Sequence, residues 1–327
     1  MFQKIISPFL YIFWMFQIRI LLAFPLLVGS ISVVSDNAAV SSKTWLQKFC
    51  FLLKKLPETM LKHYHSKREG YVILPRVGVP VTLRCTLNCD KCDAHIPDIV
   101  NPTDINVDRL IDELELFFSQ VDYVSCMVFT GGEAFLHPHL DRILRFCAET
   151  NKVGNIRLQT NGTLLPTNKE LFAVLKDKNI TVMITDYGRH LQPNVDKLKN
   201  ILLNKGIAFT HTGTAFWCDT GEFCKKQEGS AKRRYRTCTQ RLFMTYFDGK
   251  LYPCCKSNIS IEYGGLKDCD EDFISLNEVE PYKIAEYLKK LRKKPVLHSC
   301  SYCLGTTYNS PRIPVAVQRK KVGGHNE

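Results

Sequence analysis

Three cysteines of the chain, Cys85, Cys89 and Cys92, are spaced C-x3-C-x2-C. They directly follow a β-rich run at residues 79–84, so they are expected to lie in the loop at the end of a strand. In a loop, three thiolates can converge on one face of a cubane iron–sulfur cluster and leave one iron without a protein ligand. Reactive metal centres keep such an open position, and the amine and carboxylate of an amino acid could chelate that iron. The alternative is a zinc knuckle with His95 as the fourth ligand.

Short polar motifs end three later predicted strands. They are Gly131-Gly132-Glu133, Gln159-Thr160-Asn161-Gly162 and Thr185-Asp186-Tyr187-Gly188. Ligands of open α/β sheets bind outside the carboxyl ends of the strands, so the three motifs are expected at one edge of the sheet. Paired glycines let the backbone approach a ligand, and Glu133 can pair with an ammonium group. Asp186 and Tyr187 can orient or deprotonate a substrate.

Each of these motifs also has a purely structural interpretation. Glu133 taken alone could be a surface carboxylate, and Asn161-Gly162 could form a plain turn. Asp186 could cap the segment that follows it.

A second group of cysteines lies in the C-terminal third of the chain. Cys238 and Cys254 bracket an Asp-Gly dipeptide, and Cys300 and Cys303 form a C-x2-C pair. Four thiolates from a hairpin and a distant loop form a closed site, which suits an iron–sulfur cluster or zinc. Cys255 is an alternative ligand to Cys254. The basic segment 225–241 is interpreted either as a phosphate-attracting patch or as a solvated linker.

The elements that must position these residues alternate between strands and helices after residue 70. The β-rich runs are residues 79–84, 123–129, 155–160, 180–185 and 206–210. Helical periodicity between them predicts a parallel sheet with right-handed crossovers, and five strands predict a partial (β/α) TIM-type barrel. Asp248-Gly249 between two β-rich runs then predicts a type I′ hairpin, and Ile284, Leu288 and Leu291 mark a late helix.

The length of 327 residues suits one large domain and a smaller one. We predict an N-terminal extension at 1–71, the barrel at 72–225 and a small cysteine-rich hairpin-plus-helix domain at 226–327. A net charge of +12 favours anionic partners. Fourteen cysteines in a chain that can bury a full core favour metal binding in a reducing compartment over disulfides.

The N-terminal extension is hydrophobic and is predicted to be helical. Between residues 5 and 34 the only charge is Arg19, which interrupts any single spanning helix. A membrane-surface anchor formed by residues 1–34 and buried N-terminal helices are equally favoured, and a signal peptide or a true start at Met60 is a further alternative. The expected location is the cytoplasm, with membrane association if the anchor interpretation holds.

The cysteine loop and the strand-end motifs resemble those of the radical S-adenosylmethionine (radical SAM) superfamily. The resemblance implies that Cys85, Cys89 and Cys92 hold a 4Fe–4S cluster, which reduces S-adenosylmethionine to a 5′-deoxyadenosyl radical. It implies that Gly131, Gly132 and Glu133 bind the amino group of S-adenosylmethionine. It also implies that Thr160 and Asn161 lie near its ribose and carboxylate, and that a reductant such as flavodoxin or ferredoxin is a partner. Lys91 departs from the pattern, which has an aromatic residue before the third cysteine.

Two further segments resemble particular branches of that superfamily. Residues 85–97 and the tail with Ile313-Pro314 and Gln318 resemble a subgroup associated with polysaccharide and glycan gene clusters. The spacing of Cys238 and Cys254 around the hairpin resembles the opening of the auxiliary-cluster domain called SPASM. Because no later SPASM cysteines follow Cys303, the shortened twitch version is the better match, and it implies a second 4Fe–4S cluster.

The favoured function is therefore radical-initiated modification or oxidation of a glycan precursor or a peptide side chain. The expected substrate is anionic or is a sugar or peptide. A radical enzyme that modifies nucleic acid is a second hypothesis, since the charge is positive, although no nucleic-acid-binding module is recognisable. A non-enzymatic, zinc-stabilised binding protein is a third.

Overall fold

The computed structural model describes residues 72–213, 215–222, 225–307 and 309–320. The predictions for residues 1–34, for the extension up to residue 71 and for Met60 lie outside these residues. Within the described ranges, no helix combines the length and the apolar character needed to cross a membrane.

The central element is an eight-stranded, mostly parallel sheet in the order β11-β10-β9-β2-β4-β5-β6-β7. Its strands are β2 (Val77–Thr82), β4 (Met127–Gly131), β5 (Ile156–Thr160), β6 (Thr181–Asp186), β7 (Phe209–Gly213), β9 (Met244–Phe247), β10 (Lys250–Tyr252) and β11 (Ile274–Ser275). Short strand pairs flank it: β1 (Ile73–Leu74) with β3 (Tyr123–Val124), and β8 (Trp217–Cys218) with β12 (Arg312–Ile313). The five parallel strands from β2 to β7 confirm the predicted partial barrel.

The described helices follow the strands in the predicted alternation. They are α1 (Val107–Gln120), α2 (Leu140–Glu149), α3 (Lys169–Asp177), α4 (Val195–Asn204), α5 (Ala231–Thr237), α6 (Cys255–Glu262) and α7 (Ile284–Lys293). In β2, Val77, Val79 and Val81 are fully buried in the core, whereas Gly78 and Pro80 between them line a cavity. This period-2 alternation separates an apolar face, which packs in the core, from an inner face that is free to bind a ligand.

The Asp248-Gly249 hairpin forms as predicted. Both residues have positive φ, 52° and 70°, as a type I′ turn requires. The hairpin does not form a sheet of its own, because β9 pairs in parallel with β2 and so extends the barrel sheet. A cluster of buried side chains joins it to α1, where the rings of Phe117 and Tyr246 lie 5.0 Å apart and the Tyr246 hydroxyl donates to the Glu113 carbonyl at 2.8 Å.

Replacing Phe117 with Ala is expected to lower the free energy of unfolding by about 3–5 kcal/mol, because it opens a cavity between α1 and the hairpin. Chemical denaturation measures the change. The matched control is Leu203→Ala on α4, whose side chain is 54% exposed, and which should change the same quantity by less than about 0.5 kcal/mol. Equal effects of the two substitutions would contradict the packing described for Phe117.

Candidate active site and metal centres

A cavity of about 650 Å³ lies at the carboxyl ends of the strands and extends along the inner face of β2. Most of the side chains and glycines predicted from the sequence line it: Cys85, Cys89, Cys92, Gly131, Gly132, Thr160, Asn161 and Tyr187. The volume is in the range of small-molecule and cofactor sites. The structure thus brings the cysteine loop and the three strand-end motifs to one place.

The start of the cysteine loop is fixed by a half-buried polar network. Asp104 accepts hydrogen bonds from Thr82 at 2.6 Å and from Arg84 at 3.0 and 2.6 Å. Gly131 and Gly132 then pass directly against this backbone. A Cβ on Gly132 would overlap the Arg84 carbonyl oxygen and come within 2.8 Å of the Cys85 Cβ. The two glycines are therefore required by the close approach of two backbone segments.

The Glu133 carboxylate is completely buried and joins two strand ends. It accepts hydrogen bonds from the Thr160 hydroxyl at 2.8 Å, from the Asn161 backbone at 2.7 Å and from the Phe135 backbone at 3.0 Å. Burial raises the pKa of Glu133, and these donors oppose that shift. The surface-carboxylate interpretation is wrong, whereas the predicted contact with an ammonium group stays a prediction.

Asn161 connects the end of β5 to the cysteine loop. Its amide donates to the Thr86 hydroxyl at 2.9 Å and lies 3.6 Å from the Cys85 sulfur. Gln192, which sequence reasoning missed, holds the opposite side: its amide donates to the carbonyls of Asn161 and Thr185 at 2.5 and 2.6 Å. A buried glutamine in a loop has no distinctive sequence pattern, so only the structure reveals this support.

Tyr187 and Asp186 lie in different surroundings. Tyr187 lines the cavity, with its ring edge-on to Trp217 at 5.8 Å. Burial raises the pKa of Tyr187, so its hydroxyl stays protonated and can donate a hydrogen bond but is poorly suited to accept a proton. Asp186 is not among the residues that line the cavity. Its carboxylate accepts a hydrogen bond from the Gly188 backbone N–H at 2.9 Å, which is the capping role that the sequence offered as the alternative to a catalytic one.

The donor set at the loop fits an iron–sulfur cluster. Thiolates are the usual cluster ligands, and all three thiols of the cysteine loop face this cavity. Burial raises the pKa of the Cys85 thiol to about 11 and also raises those of Cys89 and Cys92, so bound iron must displace their protons. In the described part of the chain, no three His, Cys, Asp or Glu side chains converge as the ligands of one metal ion do.

The family profile of the radical SAM superfamily matches residues 79–196. The match begins in β2, ends in α4 and includes the cysteine loop and all three strand-end motifs. This chain carries a radical SAM domain. It is an enzyme, and S-adenosylmethionine and a 4Fe–4S cluster are its cofactors. No curated protein matches the chain.

Several solved structures are similar to the chain. BtrN in complex with AdoMet and 2-DOIA is 13% identical with a TM-score of 0.45, over 76% of this chain and 98% of that one. The anSMEcpe structure with bound AdoMet is 13% identical with a TM-score of 0.45, over 67% and 82% of the two chains. SuiB from Streptococcus suis bound to S-adenosylmethionine is 18% identical with a TM-score of 0.34, over 48% and 38%.

The C-terminal tail of the described chain crosses the cysteine loop of the radical SAM domain. We call residues 316–319 the strap. The Val317 carbonyl accepts a hydrogen bond from the Asp90 backbone N–H at 2.6 Å, and the Arg319 backbone N–H donates to the Asn88 carbonyl at 2.8 Å. The Gln318 amide nitrogen donates to the Cys89 sulfur at 3.1 Å, while its oxygen accepts from the Asn88 backbone at 2.8 Å. Hydrogen bonds to the sulfur atoms of an iron–sulfur cluster are among the factors that set its reduction potential.

A second, small cavity contains all four of the remaining predicted metal ligands, Cys238, Cys254, Cys300 and Cys303. Cys255 is not among its lining residues and faces the larger cavity instead, which favours Cys254 as the ligand. The neighbouring Cys255 thiol lowers the pKa of Cys254, although burial opposes this shift. A lower pKa favours the thiolate, which is the form that binds metal.

Three cations surround this second cavity, and their role was missed from the sequence. Arg234, Arg241 and Lys256 line it together with the cysteines. The first two belong to the basic segment 225–241, whose charges were interpreted as a phosphate patch or a linker. In the structure these two side chains lie beside the thiols, where they can offset the negative charge of four thiolates.

Replacing Gly132 with Ala in the radical SAM domain should abolish cluster binding at the loop, because the new Cβ collides with the Arg84 backbone. Iron content and the cluster's visible absorption after anaerobic reconstitution measure the loss, in a chain that also carries Cys300→Ala and Cys303→Ala to remove the other site. Gly78→Ala is the matched control, since its nearest neighbours would be at 3.8 Å. Full iron in the Gly132 variant would contradict the close approach.

Replacing Gln318 with Leu should make the midpoint potential of the loop cluster more negative by about 40 mV, the one-electron equivalent of losing a hydrogen bond of about 1 kcal/mol. Redox titration followed by electron paramagnetic resonance measures it. Val317→Ala is the control, because it shortens an exposed side chain of the strap and leaves the backbone pairing intact. An unchanged potential in the Gln318 variant would show that the bond to Cys89 does not act on the cluster.

Proposed function

We propose that this radical SAM enzyme oxidises a carbon of a glycan precursor or a peptide side chain, and that a second 4Fe–4S cluster receives the electron. One observation carries the proposal: the four thiols predicted as auxiliary ligands line one cavity, which lies beside the cavity of the radical SAM site. Residues 226–327 then serve as the SPASM- or twitch-like auxiliary domain. Its hairpin shares the barrel sheet, which supports a short separation between the two centres.

The proposed reaction balances as a two-electron oxidation. When bound, a cluster held by Cys85, Cys89 and Cys92 together with S-adenosylmethionine would supply a 5′-deoxyadenosyl radical, and this radical would take a hydrogen atom from a substrate C–H bond. The substrate radical would then lose one proton to water and one electron to a cluster held by Cys238, Cys254, Cys300 and Cys303, and a carbonyl or alkene would form. Tyr187 keeps its proton and orients the substrate by donating a hydrogen bond.

In the described part of the chain, an ion pair connects the two groups of cysteines. Asp93 follows Cys92 in the chain, and its carboxylate lies 3.5 Å from the Lys256 ammonium. Lys256 is buried, lines the second cavity and also contacts the Thr220 hydroxyl. This contact supports electron exchange between the two sites, because it keeps their walls in direct contact.

The ligand set of the second site supports electron transfer over substrate binding. Four thiolates complete the coordination of a 4Fe–4S cluster, so no iron is left open for a substrate. The cations Arg234 and Arg241 beside it favour the more negative, reduced state of the cluster, as an electron acceptor requires. The external electron donor is a flavodoxin or ferredoxin, and the proposed location is the cytoplasm.

Paired cysteine variants test the proposal. Cys300→Ala with Cys303→Ala should lower the iron content by about four per chain, leave the reductive cleavage of S-adenosylmethionine active and abolish the oxidised product. Cys85→Ala with Cys89→Ala and Cys92→Ala should abolish the cleavage and keep the second cluster. Cys147→Ala is the control: this buried core cysteine is no predicted ligand, so its removal should not change iron content. Zinc at the second site in the native protein, or full product without its cluster, would refute the proposal.

A further inference from the structure

The larger cavity extends well beyond the cluster loop. Arg76 lines it and precedes the first residue of β2, whereas the cysteine loop follows the last residue of that strand. With about 3.3 Å per residue, the strand places these two ends roughly 20 Å apart. Gly78 and Pro80 line the cavity between them. The space toward Arg76 is therefore separate from the end at which the radical SAM motifs converge.

Arg76 is a cation without a carboxylate partner among the described residues. Its guanidinium lies 4.5 Å from the ring centroid of Phe243, and no ion pair of Arg76 occurs in the described ranges. Lys91, the other cation on the cavity wall, is 3.6 Å from Asp219 and is thus compensated. A half-buried guanidinium beside open space is suited to bind a carboxylate or phosphate in a bidentate way.

Asn258 supplies a second, independent observation. Its side chain is 0% exposed, lines the same cavity, and neither its amide nitrogen nor its oxygen has a hydrogen-bond partner in the described protein. Leaving a buried amide unpaired costs free energy, so such a group on a cavity wall indicates a missing partner. Because Asn258 lines the cavity, the cavity is the side from which a small adjustment of the side chain would give a ligand access to this amide.

Arg76 and Asn258 both line the larger cavity, and contacts through the start of α6 connect them. Asn258 and Cys255 are three residues apart on α6, so they lie on one face of the helix. Arg76 packs against the ring of Phe243, the Phe243 backbone N–H donates to the Gln240 carbonyl at 3.0 Å, and the Gln240 side chain contacts Cys255 at the start of α6. The Gln240 oxygen, 3.5 Å from the Cys255 sulfur, adds a polar group to this wall.

We propose that Arg76 and Asn258 form the anchor subsite for an anionic group of the substrate, a carboxylate or a phosphate. The guanidinium binds the anionic oxygens, and the Asn258 amide donates to the same group or pairs with the substituent next to it. The substrate then extends from this anchor toward the cluster loop, with its reacting carbon at the far end. This inference rests on the proposed function, because it takes the larger cavity as the substrate site.

The test uses the full-length, anaerobically reconstituted enzyme with S-adenosylmethionine bound. Isothermal titration calorimetry measures the binding of two probes, inorganic phosphate and acetate, which distinguish a phosphate-bearing from a carboxylate-bearing substrate. Arg76→Met should weaken the preferred probe at least tenfold, and Arg76→Lys should weaken it less because the charge remains. Arg142→Met is the matched control: it removes the same charge from an exposed residue paired with Asp108 and should leave binding unchanged.

The Asn258→Leu variant distinguishes a binding role of Asn258 from a purely structural one, because the two roles predict different changes in melting temperature. It removes an unpaired buried amide, so the melting temperature of the protein should rise or stay constant while probe binding weakens. A marked fall in melting temperature, or unchanged binding of both probes in the Arg76 and Asn258 variants, would overturn the anchor subsite. Failure of the wild type to bind either probe would also overturn it. The proposed oxidation fails separately, through zinc at the second site, whatever the anion titrations show.

Discussion

The buried carboxylate of Glu133 is the interaction on which the radical SAM site depends. It is fully buried, and it joins the turn after β4 to the end of β5 through two hydrogen bonds, while a third, from the Phe135 backbone, lies within the turn. Each bond satisfies a donor that would otherwise be unpaired. Because Gly131 and Gly132 lie against the stem of the cysteine loop, fixing this turn also fixes where the loop begins. The turn after β4, the end of β5 and the start of the cysteine loop are thus held in a fixed arrangement.

Helix α6 gives the two cavities a common wall. Cys254 and Lys256 face the small cavity, whereas Cys255 and Asn258 face the large one. Consecutive positions on a helix point in different directions, so one short helix can contribute to two sites without a long connection. A displacement of α6 would change both cavities together. The structure therefore couples the candidate substrate wall to the environment of the second group of thiols.

The sequence predicted the parts of the molecule that are governed by local patterns. The five parallel strands and the Asp248-Gly249 turn follow from periodicity and from the need for positive φ at two positions. It did not predict that β9 pairs with β2, since pairing between strands over 160 residues apart has no local signal. The role of Asp186 was ambiguous for another reason. Side chains alternate between the two faces of a strand, so a shift of one position determines whether a side chain at the strand end faces the cavity or the solvent.

The site residues also divide into those that a local sequence pattern predicts and those that only the folded structure reveals. The cysteine spacings predicted which thiols lie together after folding, because residues that share one metal centre tend to recur at short distances in the chain. The supports around them were missed: Gln192, Arg234 and Arg241 act through contacts with residues that are close only after folding. Asn258 gave no signal at all, because an unpaired amide is recognised only by the absence of a partner in three dimensions.

The strap has a consequence for the order in which the enzyme is assembled. Asn88 and Gln318 are 230 positions apart, so their pairing closes one of the longest loops in the chain, at an entropic cost of about 5 kcal/mol from its length alone. During synthesis, the ribosome completes the barrel strands well before it reaches the strap. The three thiols of the loop consequently lie uncovered in the nascent protein. The loop is accessible to iron delivery in that interval, whereas after the strap has paired with it the same delivery has to take place past the strap.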